Sequence, residues 1–445
     1  MSWNLVQLSD FLVERDERIN FHDANKLGLQ RIKKIDFSGQ IYLENHTETK
    51  TEMIRVCSGD LVISGINASK GAITIYSDEP DVLATIHYSS YQFNSDLISV
   101  DFLIWFFKSH EFSQLLKNQV AGGIKTELKP KHILPLKVKI PPLNEQIIIA
   151  KRLNTFSNAR HKIDLNIEEQ KFYINLLKEK TIQEALLGNL SKHWREGAQN
   201  ILTGKSLINE IKDIRNNKFG ELKARGGKEL HPISDDDLPF QIPSSWCWCR
   251  LGDLIEEKPR NGLSLKPVDY ETKTKTLKLS ATTSGKFDQT QFKYLNVDIE
   301  SSSYLWLRDG DILIQRANSL DLVGTSAIYR GENNQFIYPD LMMKIRAVKN
   351  EITNYLQLVL SSNLTKRYFK KNASGAAGNM PKINQEIVIN SLIPIPPLEE
   401  QKIIIEKIEK IFLNILEFSK EIEQINMQVK TLNKSVVSKE FRKVN

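Results

Sequence analysis

Ile140-Pro141-Pro142-Leu143-Asn144-Glu145-Gln146 returns later in the chain as Ile395-Pro396-Pro397-Leu398-Glu399-Glu400-Gln401, and a run of isoleucines follows both copies. The displacement is 255 residues, and the same step carries Gly123 onto Gly378, Leu128 onto Ile383 and Leu177-Lys178 onto Leu432-Asn433. Upstream the step is shorter. Gly59-Asp60-Leu61-Val62-Ile63 meets Gly310-Asp311-Ile312-Leu313-Ile314 at 251, Ile75-Tyr76 meets Ile328-Tyr329 at 253, and Leu8-Ser9-Asp10-Phe11 meets Leu251-Gly252-Asp253-Leu254 at 243. A chain built twice from one unit is read as two copies. The step drifts only before residue 121, so insertions sit in the front part of each unit and the rear part keeps its register.

Each rear part reads as one long helix. The Pro-Pro-Leu stops the preceding extended segment and places acidic residues in a first turn, where the helix dipole favours them. From there Ile404, Ile408, Ile411, Ile415, Phe418, Ile422, Ile425, Val429, Leu432 and Val436 keep a four-three spacing, the signature of a coiled-coil seam. One step back, the same seam holds Ile149, Leu153, Phe156, Ile163, Ile167, Ile174 and Leu177, with polar interruptions at Arg160, Gln170 and Thr181. About 45 residues at 1.5 Å each give a rod of roughly 65 Å. Two seams of equal length in one chain predict that the helices pack on each other, antiparallel if each globule is to lead into the opposite end of the rod.

The front parts carry strand-like runs at Leu61 to Tyr76 and Ile312 to Tyr329 and amphipathic helices over Phe102 to Lys117 and Tyr355 to Lys371. The expected fold is α+β, two similar globules and two long helices forming an antiparallel coiled coil with pseudo-twofold internal repeat. The expected segments are a first globule over 1–142, a first helix over 143–190, a connector over 191–245 with a helical stretch near Leu207 to Lys218, a second globule over 246–395 and a second helix over 396–445.

Composition narrows the class without deciding it. The chain has 445 residues, 61 basic and 54 acidic side chains, a net charge of +7 and 40% hydrophobic residues, which is globular and long enough for several cores. Three cysteines make no disulfide framework, and Cys247-Trp248-Cys249 lacks a second ligand pair, so neither a structural metal nor an oxidising compartment is expected. No apolar run reaches membrane-span length and Met1 to Asp10 has no signal-peptide pattern, so the expectation is a cytoplasmic protein without a membrane partner.

No catalytic constellation stands in the sequence. Gly204-Lys205-Ser206 ends like a phosphate loop, but Gln199 occupies the place of its first glycine. No His-x-x-x-His pair or Gly-x-Ser-x-Gly elbow occurs, and Pro80-Asp81 and Pro339-Asp340 read as turns. What remains is basic and polar side chains on loops. Met1 to Pro142 has 16 basic and 17 acidic residues, whereas Trp246 to Ile395 has 20 and 15, so the surplus lies mainly in the second globule. There Lys366-Arg367 and Lys370-Lys371 precede the glycine-rich Asn372-Ala373-Ser374-Gly375-Ala376-Ala377-Gly378-Asn379, whose Ser374 and Asn379 join the candidate DNA contacts. The first copy offers Lys125 and Thr126 in its own glycine-rich loop, flanked by Lys129 and Lys131. Arg316-Ala317-Asn318-Ser319 leaves the Gly-Asp strand where the first copy has Gly65-Ile66-Asn67-Ala68, near Lys70. Arginine and asparagine can hydrogen-bond purine edges in bidentate fashion. A solvated turn is the competing reading for each of these loops.

Taken in order, these residues resemble the specificity (S) subunit of type I restriction-modification systems. The likeness spans nearly the whole chain: Trp3 and Trp246 with Trp248 at the globule starts, the doubled Gly-Asp, the glycine-rich loop, the doubled Pro-Pro-Leu-x-Glu-Gln, and Leu187-Gly188-Asn189-Leu190-Ser191-Lys192-His193-Trp194-Arg195 closing the first helix. The resemblance implies two target recognition domains that each read half of a bipartite double-stranded DNA sequence, with the coiled coil setting the spacer. It also implies methyltransferase (M) subunits, which carry the S-adenosylmethionine chemistry and dock on the helices, and a motor-nuclease (R) subunit. This chain has neither Asn-Pro-Pro-Tyr nor Phe-x-Gly-x-Gly, so no cofactor of its own and no catalysis are expected. The second helix has no counterpart of His193-Trp194-Arg195 before Asn445, and the second docking surface is expected to be less complete. A methylation-only or related phage-defence complex, or a coiled-coil scaffold without DNA, are the alternatives.

Overall fold

The computed structural model describes residues 3–45, 50–119, 127–199, 202–220, 230, 232–375 and 380–442. They fall into two units, Met1–Gln170 with Lys420–Asn445, and Lys171–Ser419.

The first unit contains β1 (Asn4–Gln7), β2 (Leu12–Glu14), β3 (Leu61–Ser64), β4 (Ile73–Ile75), β5 (Tyr88–Phe93), helices α1 (Val100–Phe107) and α2 (His110–Gln119), and β6 (Lys137–Ile140). β1 pairs antiparallel with β6, Asn4 opposite Ile140, and a four-stranded sheet runs β2-β5-β3-β4. The second unit contains helix α3 (Gly204–Phe219), β7 (Cys247–Arg250), β8 (Arg260–Asn261), β9 (Ile312–Gln315), β10 (Ser326–Ile328), β11 (Met342–Ile345), helices α4 (Thr353–Ser361) and α5 (Asn363–Asn372), and β12 (Leu392–Ile395). β7 pairs with β12, Cys247 opposite Ile395, and the order β8-β11-β9-β10 repeats the first sheet strand for strand. The copies diverge where the sequence step drifts. A five-stranded sheet built from Arg18–Ile19, Arg31–Ile35, Ile41–Glu44, Met53–Val56 and Val82–Thr85 stands in the first unit, and a two-stranded one from Thr274–Leu277 and Phe292–Leu295 in the second.

The first long helix is Leu143–Leu186 and the second Leu398–Phe441, each of 44 residues and still in register at 255. In the first unit the start of one lies beside the end of the other. Arg152 Nη1 meets Glu440 Oε1 at 3.2 Å, and Phe441 packs on Phe102 and Phe106 at 5.3 and 5.9 Å between ring centroids. In the second unit Lys407 Nζ donates to Leu190 O at 2.8 Å, and Ala185 and Leu186 share a core with Ile404 and Ile408. The pair is therefore antiparallel in both.

The repeated motif is explained by what its last two residues bond. Gln146 Nε2 donates to Pro141 O at 2.9 Å and Gln401 Nε2 to Pro396 O at 3.0 Å, each tying the first helical turn to its own entry. Glu145 Oε1 accepts the Trp3 indole N–H at 3.2 Å, and Glu400 Oε2 accepts that of Trp246 at 2.9 Å. Fully buried Glu400 also accepts from Ser191 Oγ at 2.6 Å and pairs with Arg195, so the closing motif of the first helix locks the opening turn of the second.

Three sequence expectations are amended. The helices expected over 102–117 and 355–371 are each two, broken at Ser109 and Ser362. Each serine side chain accepts a backbone N–H three residues on, from Phe112 at 3.1 Å and Thr365 at 3.4 Å, and so starts a new helix. The seam is covered unevenly. Ile404, Ile408, Ile415 and Ile422 are buried, but Phe418, Ile425 and Leu432 are 47, 48 and 53% exposed, so beyond Ile404 its column is left largely uncovered. Within 191–245, α3 packs Leu207, Ile208 and Ile211 into the core of the second unit. Gly204, the glycine of the loop-like Gly-Lys-Ser, opens this helix against β12, where a Cβ would fall 2.1 Å from Ile395 O. Among the described residues no helix is long and apolar enough to cross a membrane.

Candidate nucleic-acid interface

In both units the Gly-Asp pair aims one strand. Gly59 and Gly310 turn with φ of +91° and +89°, conformations that glycine adopts without strain. The following carboxylates are buried, Asp60 at 2% and Asp311 at 0% exposure. Asp60 is held by Arg15 through Nε at 2.6 Å and Nη2 at 3.0 Å, and Asp311 by Arg346 through the same atoms at 2.6 and 2.9 Å. Each also accepts a backbone N–H, from Cys57 at 3.0 Å and from Arg308 at 2.8 Å. Bidentate guanidinium pairs of this kind are strong and directional, and they fix where β3 and β9 begin.

The residue that leaves each strand is clamped by the same two backbone bonds. Gly65 N donates to His87 O at 2.8 Å while Gly65 O accepts from Leu128 N at 2.9 Å; Arg316 N donates to Leu341 O at 2.9 Å while Arg316 O accepts from Ile383 N at 2.8 Å. The clamp brings the strand exit beside the far end of each glycine-rich loop. Identical backbone positions then carry different side chains. A Cβ on Gly65 would lie 2.6 Å from Leu128 O, so the first unit has no room for one there. The second unit places an arginine, half-buried, with Nη1 donating to Asp340 O at 3.4 Å and a buried Nε without a hydrogen-bond partner.

Around Arg316 the predicted residues converge. Fully buried Gln315 donates from Nε2 to Leu279 O at 3.0 Å and Thr282 Oγ1 at 2.9 Å, and its Oε1 accepts from Asn318 Nδ2 at 2.6 Å. Asn318 Oδ1 in turn accepts the Ser319 N–H at 2.7 Å, so the loop is pre-ordered. Ser374 exchanges two backbone bonds of 2.8 Å with Lys382, which bridges to Ala317. Lys370 reaches Asp321 in the same turn at 2.9 Å, one helical turn after Lys366. Arg367 is placed elsewhere, lining a hollow against the first long helix, and Lys371 is exposed.

In the first unit Lys129 and Lys131 are exposed beside the clamp, and Lys129 lies 4.0 Å from Glu127, whose Oε1 is 2.7 Å from His87 Nδ1. Lys70 ends a short turn with its ammonium 5.6 Å from the Phe37 ring and lines a cleft facing the long helices. Lys125, Thr126 and Asn379 lie outside the described residues.

Lys382 was missed by sequence reasoning although the step of 255 marked it, since that step pairs it with Glu127. One position therefore carries opposite charge in the two copies. Among the described residues no group of three or more His, Cys, Asp or Glu could hold a metal ion. Burial pushes the Cys247 and Cys249 thiols up, away from the reactive thiolate.

The comparisons with known proteins meet this geometry. The model of the type I restriction modification DNA specificity domain matches twice, over residues 3–187 and 243–427. Among curated proteins the chain is similar to the type I restriction enzyme EcoKI specificity subunit of Escherichia coli (strain K12), 22% identical over 441 residues, covering 96% of this chain and 84% of that one. It is also similar to the EcoEI specificity subunit of Escherichia coli, 28% identical over 244 residues, covering 54% of this chain and 40% of that one. In fold it resembles a chain from work on complex assembly and conformational transition of the type I R-M system, with TM-score 0.66, 15% identity and coverage of 99% of this chain and 97% of that one. The HsdS subunit from Thermoanaerobacter tengcongensis aligns at TM-score 0.50 and 16% identity, again covering 99% and 97%. Two matched domain copies across most of its length, on a duplicated α+β scaffold with paired long helices, mean that this chain belongs to the family of type I restriction-modification DNA specificity subunits.

Proposed function

We propose that this chain selects DNA for a type I restriction-modification complex, each unit reading one half of a bipartite double-stranded target while the long helices set the spacer and seat methyltransferase subunits, which a motor-nuclease subunit joins. The observation that carries the reading is one backbone clamp bearing two different faces, Gly65 and Glu127 in the first unit and Arg316 and Lys382 in the second, beside a shared asparagine, Asn67 and Asn318. One scaffold with unequal side chains is what two unequal half-sites require, since phosphate contacts position a protein and base-edge contacts specify the sequence. Lys129, Lys131, Lys366, Lys370, Lys371 and Ser374 supply the phosphate contacts in this reading. The exposed column of Phe418, Ile425 and Leu432 offers apolar surface for partner helices.

Competition gel shifts of the chain with its methyltransferase partner, over duplexes differing in either half-site, test this reading. Discrimination by a factor of about a thousand or more against scrambled DNA is expected, and equal affinity for all sequences would sink it. Removing one heptad from each long helix, about 10 Å of rise, should shift the preferred spacer by about three base pairs with the half-sites unchanged. Methylation that keeps the original spacing would contradict the ruler.

A further inference from the structure

The first unit holds a cleft of about 1130 Å³ between α1, the first long helix and the last turns of the second. The matching hollow of the second unit, about 540 Å³, is built from corresponding positions. Lys180, Ile182 and Gln183 stand there where the first unit has Ser435, Val437 and Ser438, and Ser362-Asn363 where it has Ser109-His110. The two differ in how they are closed. In the second unit Pro239 and Phe240 form one wall, with the Phe240 ring edge-on to Trp248 at 5.1 Å. Just before them Asp235, Asp236 and Asp237 make a short turn, and Asp237 lies 3.6 Å from Arg250. No described residue of the first unit takes the place of Pro239-Phe240, and the cleft stays open as far as Arg160 and Asp164.

Its charge is one-sided. Among the described residues, Lys70, Lys108, Arg160, Lys434 and Arg442 line it against one carboxylate, that of Asp164, which Arg160 already engages at 3.2 Å. Lys108 is partly withdrawn from water, its Nζ donating to Ser38 O at 3.0 Å, and burial pushes its ammonium down. A concave cation cluster with low-dielectric walls focuses a positive field outward. Trp105 and Phe37 add aromatic surface to the same walls.

We infer that this cleft receives an acidic, aromatic-bearing extended segment of a partner protein, its aromatic side chain walling the first unit as Pro239-Phe240 wall the second and its carboxylates meeting the cation cluster. Polypeptide rather than DNA fits because the equivalent place in the other unit is taken by polypeptide, so a duplex engaged alike by both units does not run through it. Lys70 then serves partner docking instead of base or phosphate contact. The inference is independent of which bases the clamps read.

A labelled peptide with the sequence of residues 233–242, Ile-Ser-Asp-Asp-Asp-Leu-Pro-Phe-Gln-Ile, titrated with the full chain and followed by fluorescence anisotropy, tests it. Saturable binding is expected, weaker at about 200 than at 50 mM salt, and reduced about tenfold or more by K434E with R442E, two exposed positions. Replacing the peptide's phenylalanine by alanine, or its three aspartates by asparagine, should weaken binding comparably. The double variant should keep the parent's melting temperature and its selectivity among duplexes. Absence of saturable binding, indifference to the double variant, or a tenfold loss of duplex affinity in that variant without peptide binding would each overturn the inference. Failure of the DNA reading would instead appear as lost duplex selectivity in the unaltered chain.

Discussion

Replacing Asp311 by alanine should lower the unfolding free energy by about 3–5 kcal/mol, read as a drop in the urea midpoint at unchanged slope. The size follows from what the substitution strands. Arg346 gives up two hydrogen bonds of 2.6 and 2.9 Å, and Lys344, 7% exposed and 3.9 Å from the carboxylate, loses its nearest anion. Burial already pushes the Lys344 ammonium down to about 8. Without Asp311 it falls further below its unfolded value, so this part of the loss is fully present at low pH and fades as pH rises through about 8. The part due to Arg346 persists throughout. A variant as stable as the parent would mean that the paired charges are relieved by local opening, which amide exchange along β9 and β11 would reveal.

The second large effect belongs to recognition. Arg316→Ala should reduce discrimination at one position of one half-site by about 1–3 kcal/mol, roughly 5- to 150-fold in competition gel shifts, with the other half-site untouched. Its guanidinium is half-buried with Nη1 on Asp340 O, so it is oriented before DNA arrives. Removing Lys370 and Lys371 should instead weaken binding to all sequences and flatten its salt dependence. An equal loss across sequences from Arg316→Ala would reassign that side chain to phosphate. The reciprocal experiment has a steric limit, since an arginine at Gly65 would press its Cβ to 2.6 Å from Leu128 O. Half-site specificity therefore does not transfer by exchanging these two residues alone; the neighbouring segment at Leu128 must move with them.

Much of this was legible in the chain. The Pro-Pro-Leu-x-Glu-Gln motif marked both helix starts, and the helices end at Leu186 and Phe441, the same 255 residues apart. The Gly-Asp pair marked both strands that lead to the clamp. Less legible was the break at Ser109 and Ser362, because an amphipathic pattern runs through a serine that caps a second helix. Lys382 escaped for a related reason. It is exposed, stands beyond the glycine-rich loop and joins Ala317 only through sheet pairing, a contact without local signature.

By itself the sequence determined the duplication, the two long helices and the strands aimed by buried aspartates. The helices and strands are written in spacing between near neighbours, and the duplication in the recurrence of those local patterns, 255 residues on for the helices and 251 for the strands. The tertiary structure decided which seam residues are covered, that Arg195 locks onto Glu400, that Arg367 leaves the cluster around Arg316, and that Pro239-Phe240 wall the hollow of the second unit. Those outcomes depend on residues tens to hundreds of positions apart meeting in space. Burial, pairing and charge at such meetings are properties of both partners, and neither stretch of sequence records them alone.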